Sequence, residues 1–201
     1  FDVKSGEFLA ITGRSGSGKS TLMYQLGLLD SPTSGKVFID GVDVTGLSND
    51  DRTGMRLSDL GYIFQDYALI PELTALENVL IPLLMLGLSQ EDAENKARLA
   101  LDRIGMEERL HNVPSQLSGG EQQRVAIARA IAHEPKIVFA DEPTANLDSE
   151  TSKVVLQNFI KLNKEGQTIL MVTHEPEYTA LTDRVITLSD GKIISDTLNN
   201  K

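Results

Sequence analysis

The sequence predicts an α/β fold in which a helical subdomain is inserted between two of the strands. Short apolar runs typical of strands alternate with helical patterns up to about residue 65. The interval from about Asp66 to Glu134 then carries only helical signals, and the alternation returns after Pro135. With 201 residues, the chain is long enough for one domain with a core of ordinary size.

The first part of the chain contains three strand-like runs and one helix. Residues 7–12 (EFLAIT) are predicted to form a buried strand, and a glycine-rich turn leads into a helix over about residues 19–28. Residues 35–41 (GKVFIDG) are typical of a strand that ends in a turn, and residues 60–65 (LGYIFQ) of another strand. We therefore assign residues 1–65 to the α/β core.

The inserted segment has the start and stop signals of helices. Three side-chain pairs have the spacing of N-terminal caps, namely Thr74 with Glu77, Ser89 with Asp92 and Ser118 with Glu121. Gly105 suits the C-terminal end of a helix. The apolar positions after Ser118 have helical spacing, and Pro135 ends the run. We therefore assign residues 66–134 to a helical subdomain.

After Pro135 the sequence again alternates between strands and helices. The predicted elements are a strand at 136–140, a helix at 149–164 capped by Asp148, a strand at 168–173 and a β-hairpin at 184–195. The hairpin has two apolar runs around an Asp-Gly turn, which indicates an antiparallel pair. Residues 135–201 therefore complete the core.

The composition argues against several functional classes. Nineteen basic and twenty-nine acidic residues give a formal net charge of −10, which offers no basic footprint for nucleic acid. The chain has no cysteine, which excludes disulfides and thiolate metal sites. Its most apolar stretch, residues 79–88, is shorter than the roughly 20 residues that span a bilayer, and no signal peptide is visible. Any connection to a membrane should therefore run through a partner.

A glycine-rich stretch follows the first predicted strand. Residues 13–20 (GRSGSGKS) match the pattern G-x-x-x-x-G-K-[ST] between a strand and a helix, where backbone N–H groups and the helix dipole hold phosphates. Lys19 can reach the β- and γ-phosphates, and Ser20 offers a hydroxyl to Mg²⁺. The pattern predicts a nucleoside triphosphate site formed by Gly13, Arg14, Ser15, Gly16, Ser17, Gly18, Lys19, Ser20 and Thr21.

An acidic pair follows the apolar run KIVFA. At the tip of this predicted strand Asp141 can hold Mg²⁺, usually through water. Adjacent residues of a strand point in opposite directions, so Glu142 is available for a different task. We expect Glu142 to orient the water that attacks the γ-phosphate, although an isolated Asp-Glu pair would be an ordinary surface feature.

Residues 117–123 (LSGGEQQ), taken with the phosphate loop and with residues 137–143 (IVFADEP), resemble the signature of ATP-binding cassette (ABC) ATPases. The resemblance covers nearly the whole chain, and the motifs occur in the order found in that family. It implies a P-loop NTPase (RecA-like) core, a single ABC ATPase domain over residues 1–201, and ATP and Mg²⁺ as ligands.

The resemblance also implies roles for residues outside these motifs. Gln65 corresponds to the glutamine that contacts Mg²⁺ and the attacking water, and His174 to the histidine that bonds the γ-phosphate. Asp148 lies in the D-loop, which reaches the second subunit. The implied catalytic set is Glu142, His174, Gln65 and Lys19, and the implied metal ligands are Ser20, Gln65 and Asp141.

Paired glycines at the head of the signature helix need a separate explanation. A capped helix does not require them, and bare backbone at a helix N-terminus indicates a closely approaching anion. A flexible entry turn is the alternative. In the family that this stretch resembles, two cassettes pack head to tail and each signature helix closes on the other subunit's ATP. The resemblance thus implies that the ATP of a second copy is contacted by Ser118, Gly119, Gly120 and Glu121.

The chain departs from the family pattern at two places. An aromatic residue normally stacks on adenine from a strand upstream of the phosphate loop, but Phe1 is too close to Gly13 for that role. Since the chain also begins without methionine, we expect N-terminal strands to be missing from this sequence. Ala145 stands where close relatives often have glycine.

Residues 26–41 and 64–87 look most like the macrolide-exporter and lipoprotein-release branch of the family. This implies an ATPase subunit at the inner, cytoplasmic face of the cell membrane, which drives export or lipoprotein and peptide release through an integral membrane permease. Four apolar side chains after Gln65 either receive a segment of that permease or serve ordinary helix packing, namely Leu69, Ile70, Leu73 and Leu76.

Other functions of an ABC-type ATPase are transmembrane mechanotransmission or a soluble role in DNA repair, chromosome organisation or translation. Relatives with soluble roles insert coiled coils or zinc modules, or fuse two cassettes. The compact insert, the lack of cysteine and the acidic charge count against that function. A regulatory module with little turnover is disfavoured by the complete set of catalytic residues.

Overall fold

The computed structural model of the protein describes residues 1–199. The strands are β1 (Phe8–Gly13), β2 (Phe38–Ile39), β3 (Val42–Asp43), β4 (Leu60–Ile63), β5 (Ile137–Asp141), β6 (Thr168–Val172), β7 (Arg184–Ser189) and β8 (Lys192–Leu198). The helices are α1 (Lys19–Leu26), α2 (Asn49–Asp59), α3 (Ala75–Met85), α4 (Gln90–Arg103), α5 (Gly119–Ile131), α6 (Ser149–Lys164) and α7 (Pro176–Thr179).

Six of the strands form one sheet in the order β4-β5-β6-β1-β7-β8, in which only β8 runs antiparallel to its neighbour. Ile63 pairs with Ala140, Asp141 with Val172, and Val172 with Ile11. The carboxyl ends of four adjacent parallel strands therefore meet at one edge of the sheet, where ligands bind in open α/β folds.

The sheet is buried on both faces, as parallel sheets usually are. Along β5, Val138 and Ala140 contribute to the apolar cluster that contains residues of α3 to α6. Phe139, between them, contributes to a second cluster with Met23 of α1. This alternation explains why the central strands read as continuous apolar runs in the sequence. The predicted α/β class is confirmed.

The N-terminal caps predicted from the sequence are present in the structure. The side chains of Thr74, Ser89 and Ser118 each accept a hydrogen bond from the backbone N–H three residues later. Helices α3, α4 and α5 follow one another between β4 and β5 in the chain. The subdomain boundaries at 66 and 134 stay a prediction.

The inserted segment becomes helical later than the sequence predicts. The first helix after β4 begins at Ala75, and the preceding residues form turns. Asn78 explains this difference, because its buried amide accepts a hydrogen bond from the Ile70 N–H and donates to the Ile70, Leu73 and Thr74 carbonyls. One side chain thus satisfies backbone groups that a helix would otherwise pair.

Two elements between β1 and β4 differ from the prediction. The strand expected at 35–41 is a pair of two-residue strands, β2 and β3, which lie outside the main sheet. Helix α2 was not predicted because none of its residues is buried, so it has no apolar stripe. Met55 packs against the core, and Arg52 and Arg56 both donate to the Leu28 carbonyl, at 3.0 and 2.8 Å.

The predicted hairpin at the end of the chain is present as β7 and β8. Asp190 and Gly191 both have positive φ, 49° and 72°, as a two-residue type I′ turn requires.

Candidate nucleotide-binding site

The phosphate loop connects the end of β1 to the start of α1 at the carboxyl edge of the sheet. Gly13, Gly16 and Gly18 have φ of 147°, 77° and 99°. A Cβ atom on Gly13 would lie 2.3 Å from the Leu188 carbonyl oxygen, so only glycine fits there. No side chain caps α1, so its N-terminus presents bare backbone N–H groups to the loop.

Lys19 lies beneath this loop. Its ammonium group donates to the Gly13 and Arg14 carbonyls at 3.0 and 3.1 Å, and the residue is only 7% exposed. These two carbonyls hold a positive charge where the loop would enclose phosphates.

The loop forms one wall of a cleft of about 610 Å³, and Glu142 and His174 line the opposite side. Glu142 is one residue beyond β5 and has a φ of 44°, while its N–H donates to the Val172 carbonyl at 3.1 Å. His174 Nδ1 lies 3.5 Å from the Glu142 carboxylate. Two of the predicted catalytic side chains are therefore in contact, and a strained backbone of this kind is typical of functional sites.

Asp141 points to a neighbouring cavity, which it lines together with Gln65. The carboxylate accepts a hydrogen bond from the Ser20 hydroxyl at 3.4 Å. Burial is the main factor that raises the pKa of Asp141, and the Ser20 hydroxyl opposes it. Glu142 lines the first cleft instead, in accord with the alternation expected at a strand tip.

These side chains fit a magnesium ion chemically. Ser20, Asp141 and Gln65 offer hydroxyl, carboxylate and amide oxygens, the hard donors that Mg²⁺ prefers. The buried Asp141 carboxylate, whose pKa is raised, would gain from a cation nearby. Within residues 1–199, no group of three or more His, Cys, Asp or Glu side chains is arranged to hold a metal by itself. A metal here would therefore depend on further oxygens, such as those of phosphates and water.

The signature helix α5 lies outside this cleft, since none of Ser118, Gly119 and Gly120 lines it. Glu121 uses both carboxylate oxygens within its own chain. One accepts from the Ser118 N–H at 2.8 Å and the other from Arg109 Nε at 2.9 Å. These bonds lower the pKa of Glu121 to about 2. The contact of Glu121 with a second copy's ATP stays a prediction.

Both signature glycines also have a reason within the chain. A Cβ atom on Gly120 would lie 2.0 Å from Thr151 Cγ2 on α6, and one on Gly119 would lie 2.9 Å from the Tyr67 hydroxyl. Close packing against α6 and against the loop after Gln65 thus requires small residues here. The sequence indicated a nearby anion but gave no sign of this packing.

Asp148 caps α6. Its carboxylate accepts from the Glu150 and Thr151 N–H groups, both at 3.0 Å, and from the Thr151 hydroxyl at 2.7 Å. The predicted reach of Asp148 to a second subunit would have to coexist with this cap.

Three contacts at the site were not predicted from the sequence. Tyr24 lines the cavity of Asp141 and Gln65, one helical turn after Ser20, and this i, i+4 spacing was an available signal. Asn146 donates to the Gln65 carbonyl at 3.0 Å. The Gly191 N–H of the hairpin turn donates to the Ser17 carbonyl at 3.0 Å. The last two contacts carry no sequence signal, because they join distant segments.

The four apolar residues after Gln65 separate into two groups. Leu76 is buried in the core, and Leu69 packs against it. Leu73 is half-buried, whereas Ile70 is 42% exposed and lines a groove between α2, β4, α3 and α5. Packing against the core therefore accounts for Leu69 and Leu76, while Ile70 is available for a partner.

Residues 1–145 match the family described as "ABC transporter". The chain is 51% identical over 194 residues to the lipoprotein-releasing system ATP-binding protein LolD of Aquifex aeolicus, and the match covers 96% of this chain and 87% of that protein. It is 47% identical over 197 residues to the macrolide export ATP-binding/permease protein MacB of Bartonella henselae, where it covers 98% of this chain and 30% of that protein.

A solved structure with a similar fold is the dimeric, post-hydrolysis state of the ATP-binding cassette MJ0796, bound to ADP and Pi. The TM-score is 0.91 at 43% sequence identity, and the match covers all of this chain and 89% of that one.

Proposed function

This chain belongs to the ABC transporter family, and on that basis we propose that it is the ATP-hydrolysing subunit of a transport complex, active as a head-to-tail pair on a membrane partner. One observation carries the proposal. The phosphate loop, Glu142 and His174 converge on one cleft, while the signature residues lie outside it. The site of one copy is then completed by the signature helix of another.

The ligand of the cleft is ATP, and its phosphates lie in the loop between β1 and α1. The glycine backbone allows N–H groups to approach the phosphate oxygens, and Lys19 places its ammonium beside the β- and γ-phosphates. Ser20, Gln65 and Asp141 would hold Mg²⁺, which would supply positive charge to offset the charge that develops on the phosphates.

Glu142 orients the attacking water and accepts its proton. Its carboxylate lines the phosphate cleft and contacts His174 Nδ1. His174 Nε2 lies 3.1 Å from the Glu175 carboxylate and would turn from it to donate a hydrogen bond to the transferred phosphoryl group. Catalysis then consists of positioning and electrostatic stabilisation, as is general for phosphoryl transfer.

The signature helix acts on the nucleotide of the paired subunit. Ser118 is the exposed N-cap of α5, so its hydroxyl and the positive end of the helix are available to a γ-phosphate. The pair should close when both nucleotides are bound and reopen after hydrolysis. The similar structure named above is consistent with this pairing, since it is a dimeric cassette bound to ADP and Pi. The LolD relative, part of a lipoprotein-releasing system, is consistent with the transport role.

We place the membrane partner in the groove that Ile70 lines. The groove has a volume of about 310 Å³, and its cationic side chains are Arg56 and Arg129, with no carboxylate among the lining residues. The groove is thus locally basic although the chain as a whole has a net charge of −10. We expect its partner to be an apolar segment that carries an acidic residue. The segment would come from an integral permease, which holds the subunit peripherally at the inner face of the cell membrane. None of the helices in residues 1–199 is long and apolar enough to cross a bilayer.

A substitution at Glu142 tests the enzymatic part. Glu142→Gln keeps the shape of the side chain but removes the proton acceptor, so turnover should fall by about 10²-fold or more while ATP still binds. The variant should accumulate as an ATP-bound dimer, which light scattering with and without ATP would detect. Hydrolysis at the wild-type rate would contradict the assignment of Glu142.

Co-purification tests the transport part. An integral membrane protein should accompany the full-length subunit from detergent extracts, and Ile70→Asp should release it without changing the basal ATPase rate. Recovery with ribosomes or DNA would instead support the soluble function.

A further inference from the structure

The backbone between Gln65 and Ile70 is held in a strained conformation. Tyr67 and Ala68 have φ of 63° and 47°, in the left-handed region that residues with a side chain seldom adopt. Such a conformation persists only where the surroundings hold it in place. The contacts of this segment therefore show which parts of the molecule fix the position of Gln65.

Arg129 of the signature helix makes the main contact with this segment. Its guanidinium donates one hydrogen bond to the Tyr67 carbonyl at 2.9 Å and another to the Ala68 carbonyl. Arg129 is half-buried, which lowers its pKa, and among residues 1–199 no ion pair compensates for the lost hydration. A partly desolvated cation that bonds neutral carbonyls carries a cost, which suggests a task beyond holding the fold together.

Two further contacts tie the same segment to the nucleotide motifs. Asn146, between Glu142 and the cap of α6, donates to the Gln65 carbonyl at 3.0 Å. The Tyr67 hydroxyl lies beside Gly119, where a Cβ atom would approach it to 2.9 Å. The loop of Gln65 thus contacts the signature helix near its tip and again close to its end.

We infer that Arg129 is a positioning residue that fixes the Gln65 loop to the signature helix, so that Gln65 and Ser118 move as one unit. Helix α5 is a continuous 13-residue helix with Ser118 as its cap and Arg129 near its end. A displacement of Gln65 at the subunit's own nucleotide is therefore passed to Ser118 at the other nucleotide. This inference rests on the proposed function, since it assumes that each residue serves a different site of the pair.

A double-mutant cycle distinguishes positioning from general stabilisation. Arg129→Met keeps the aliphatic stem and removes both hydrogen bonds, so kcat should fall by about tenfold while ATP affinity in the Glu142→Gln background stays within about threefold. If Arg129 acts through Gln65, adding Arg129→Met to Gln65→Ala should slow turnover by less than about twofold. Independent, multiplying losses would overturn the inference.

Hydrogen exchange supplies a readout that does not depend on turnover. Amides of residues 65–70 should exchange faster in Arg129→Met, and Arg129→Lys should restore part of the protection because an ammonium can still reach one carbonyl. Unchanged exchange at 65–70 would also overturn the inference. If Arg129→Met does not fold, Arg129→Lys takes its place in both experiments.

Arg98→Met is the matched control. Within residues 1–199 the side chain of Arg98 bonds only Glu94, on the same helix α4, so its loss should change neither kcat nor exchange at residues 65–70. The proposed function fails separately, if the wild-type protein does not hydrolyse ATP. If the wild-type protein hydrolyses ATP but the losses of the two single variants multiply independently in the double variant, only the role of Arg129 is rejected.

Discussion

Glu121 stabilises the tip of the signature helix with both carboxylate oxygens, through the Ser118 N–H and Arg109. Its pKa in the folded chain is about 2, below the usual 4.5. The charged form therefore contributes stability that is fully present above about pH 4.5 and is lost as the pH falls toward 2. Glu121→Gln can still accept the Ser118 N–H but removes the charge.

We expect Glu121→Gln to lower the free energy of unfolding by about 1 kcal/mol at pH 7, and the difference to shrink as the pH falls below 4.5. Urea unfolding at pH 7, 4 and 3 measures this. The control is Glu94→Gln, which removes only an exposed ion pair with Arg98 and should have a smaller effect. An equal difference at pH 7 and pH 3 would show that charge is not what Glu121 contributes.

The residues of the site differ in how far the sequence could predict them. Lys19, Ser20 and Asp141 follow from a short motif or a strand tip, because local spacing decides where such side chains point. Arg129 and Asn146 gave no signal, because they bond carbonyls that only tertiary packing brings near. A motif therefore predicts which groups meet the ligand, but not which groups hold the motif in place.

At the scale of elements, the contact of α5 with α6 explains one signature glycine. A Cβ atom on Gly120 would lie 2.0 Å from Thr151 Cγ2, far inside van der Waals contact. Gly120→Ala should therefore destabilise the protein by about 1–3 kcal/mol, the usual cost of overpacking, despite the roughly 1 kcal/mol by which alanine is the better helix former. Chemical unfolding measures the loss.

Thr151→Ser provides the matching rescue. It removes the clashing methyl group but keeps a hydroxyl that can bond Asp148, as the threonine does at 2.7 Å. The double variant should regain most of the stability lost in Gly120→Ala, so the two changes should be strongly non-additive. If Gly120→Ala is as stable as the wild type, packing does not explain the glycine, and approach to the nucleotide remains the reason.

The same scale shows which elements a sequence can predict. Helices α3, α4 and α5 each follow a residue whose side chain accepts a hydrogen bond from the backbone N–H three residues later, so the local sequence predicts where these helices begin. Helix α2 also has a cap, at Ser48, but it buries no residue and therefore lacks the apolar period that marks a helix. For residues 66–74 the sequence predicts helix and the structure has turns, because the amide of Asn78 pairs with their backbone from outside the segment.

For the whole molecule, the order of strands decides which motifs share a site. The alternation of elements predicted the α/β class but could not give the order β4-β5-β6-β1-β7-β8, since pairing between distant strands leaves no local pattern. That order places the ends of β5 and β6 beside the loop after β1, and so joins Glu142 and His174 to the phosphate loop. It leaves Ser118 outside, which is the reason to expect a second copy.

A mixing experiment tests that expectation directly. Lys19→Ala should disable a subunit's own phosphate loop, and Ser118→Arg should disable the helix tip that it offers to its partner, so each variant alone should have almost no turnover. In a head-to-tail pair of one variant with the other, both defects fall on the same nucleotide, and the second nucleotide meets an intact loop and an intact tip.

Random mixing should therefore restore up to about a quarter of the wild-type rate, because half of the pairs are mixed and each has one of two sites intact. Steady-state turnover across mixing ratios should peak near equal amounts and should rise with total protein concentration. If signature and phosphate loop served the same nucleotide within one chain, no mixed pair would hold an intact site, and mixing would restore nothing at any ratio.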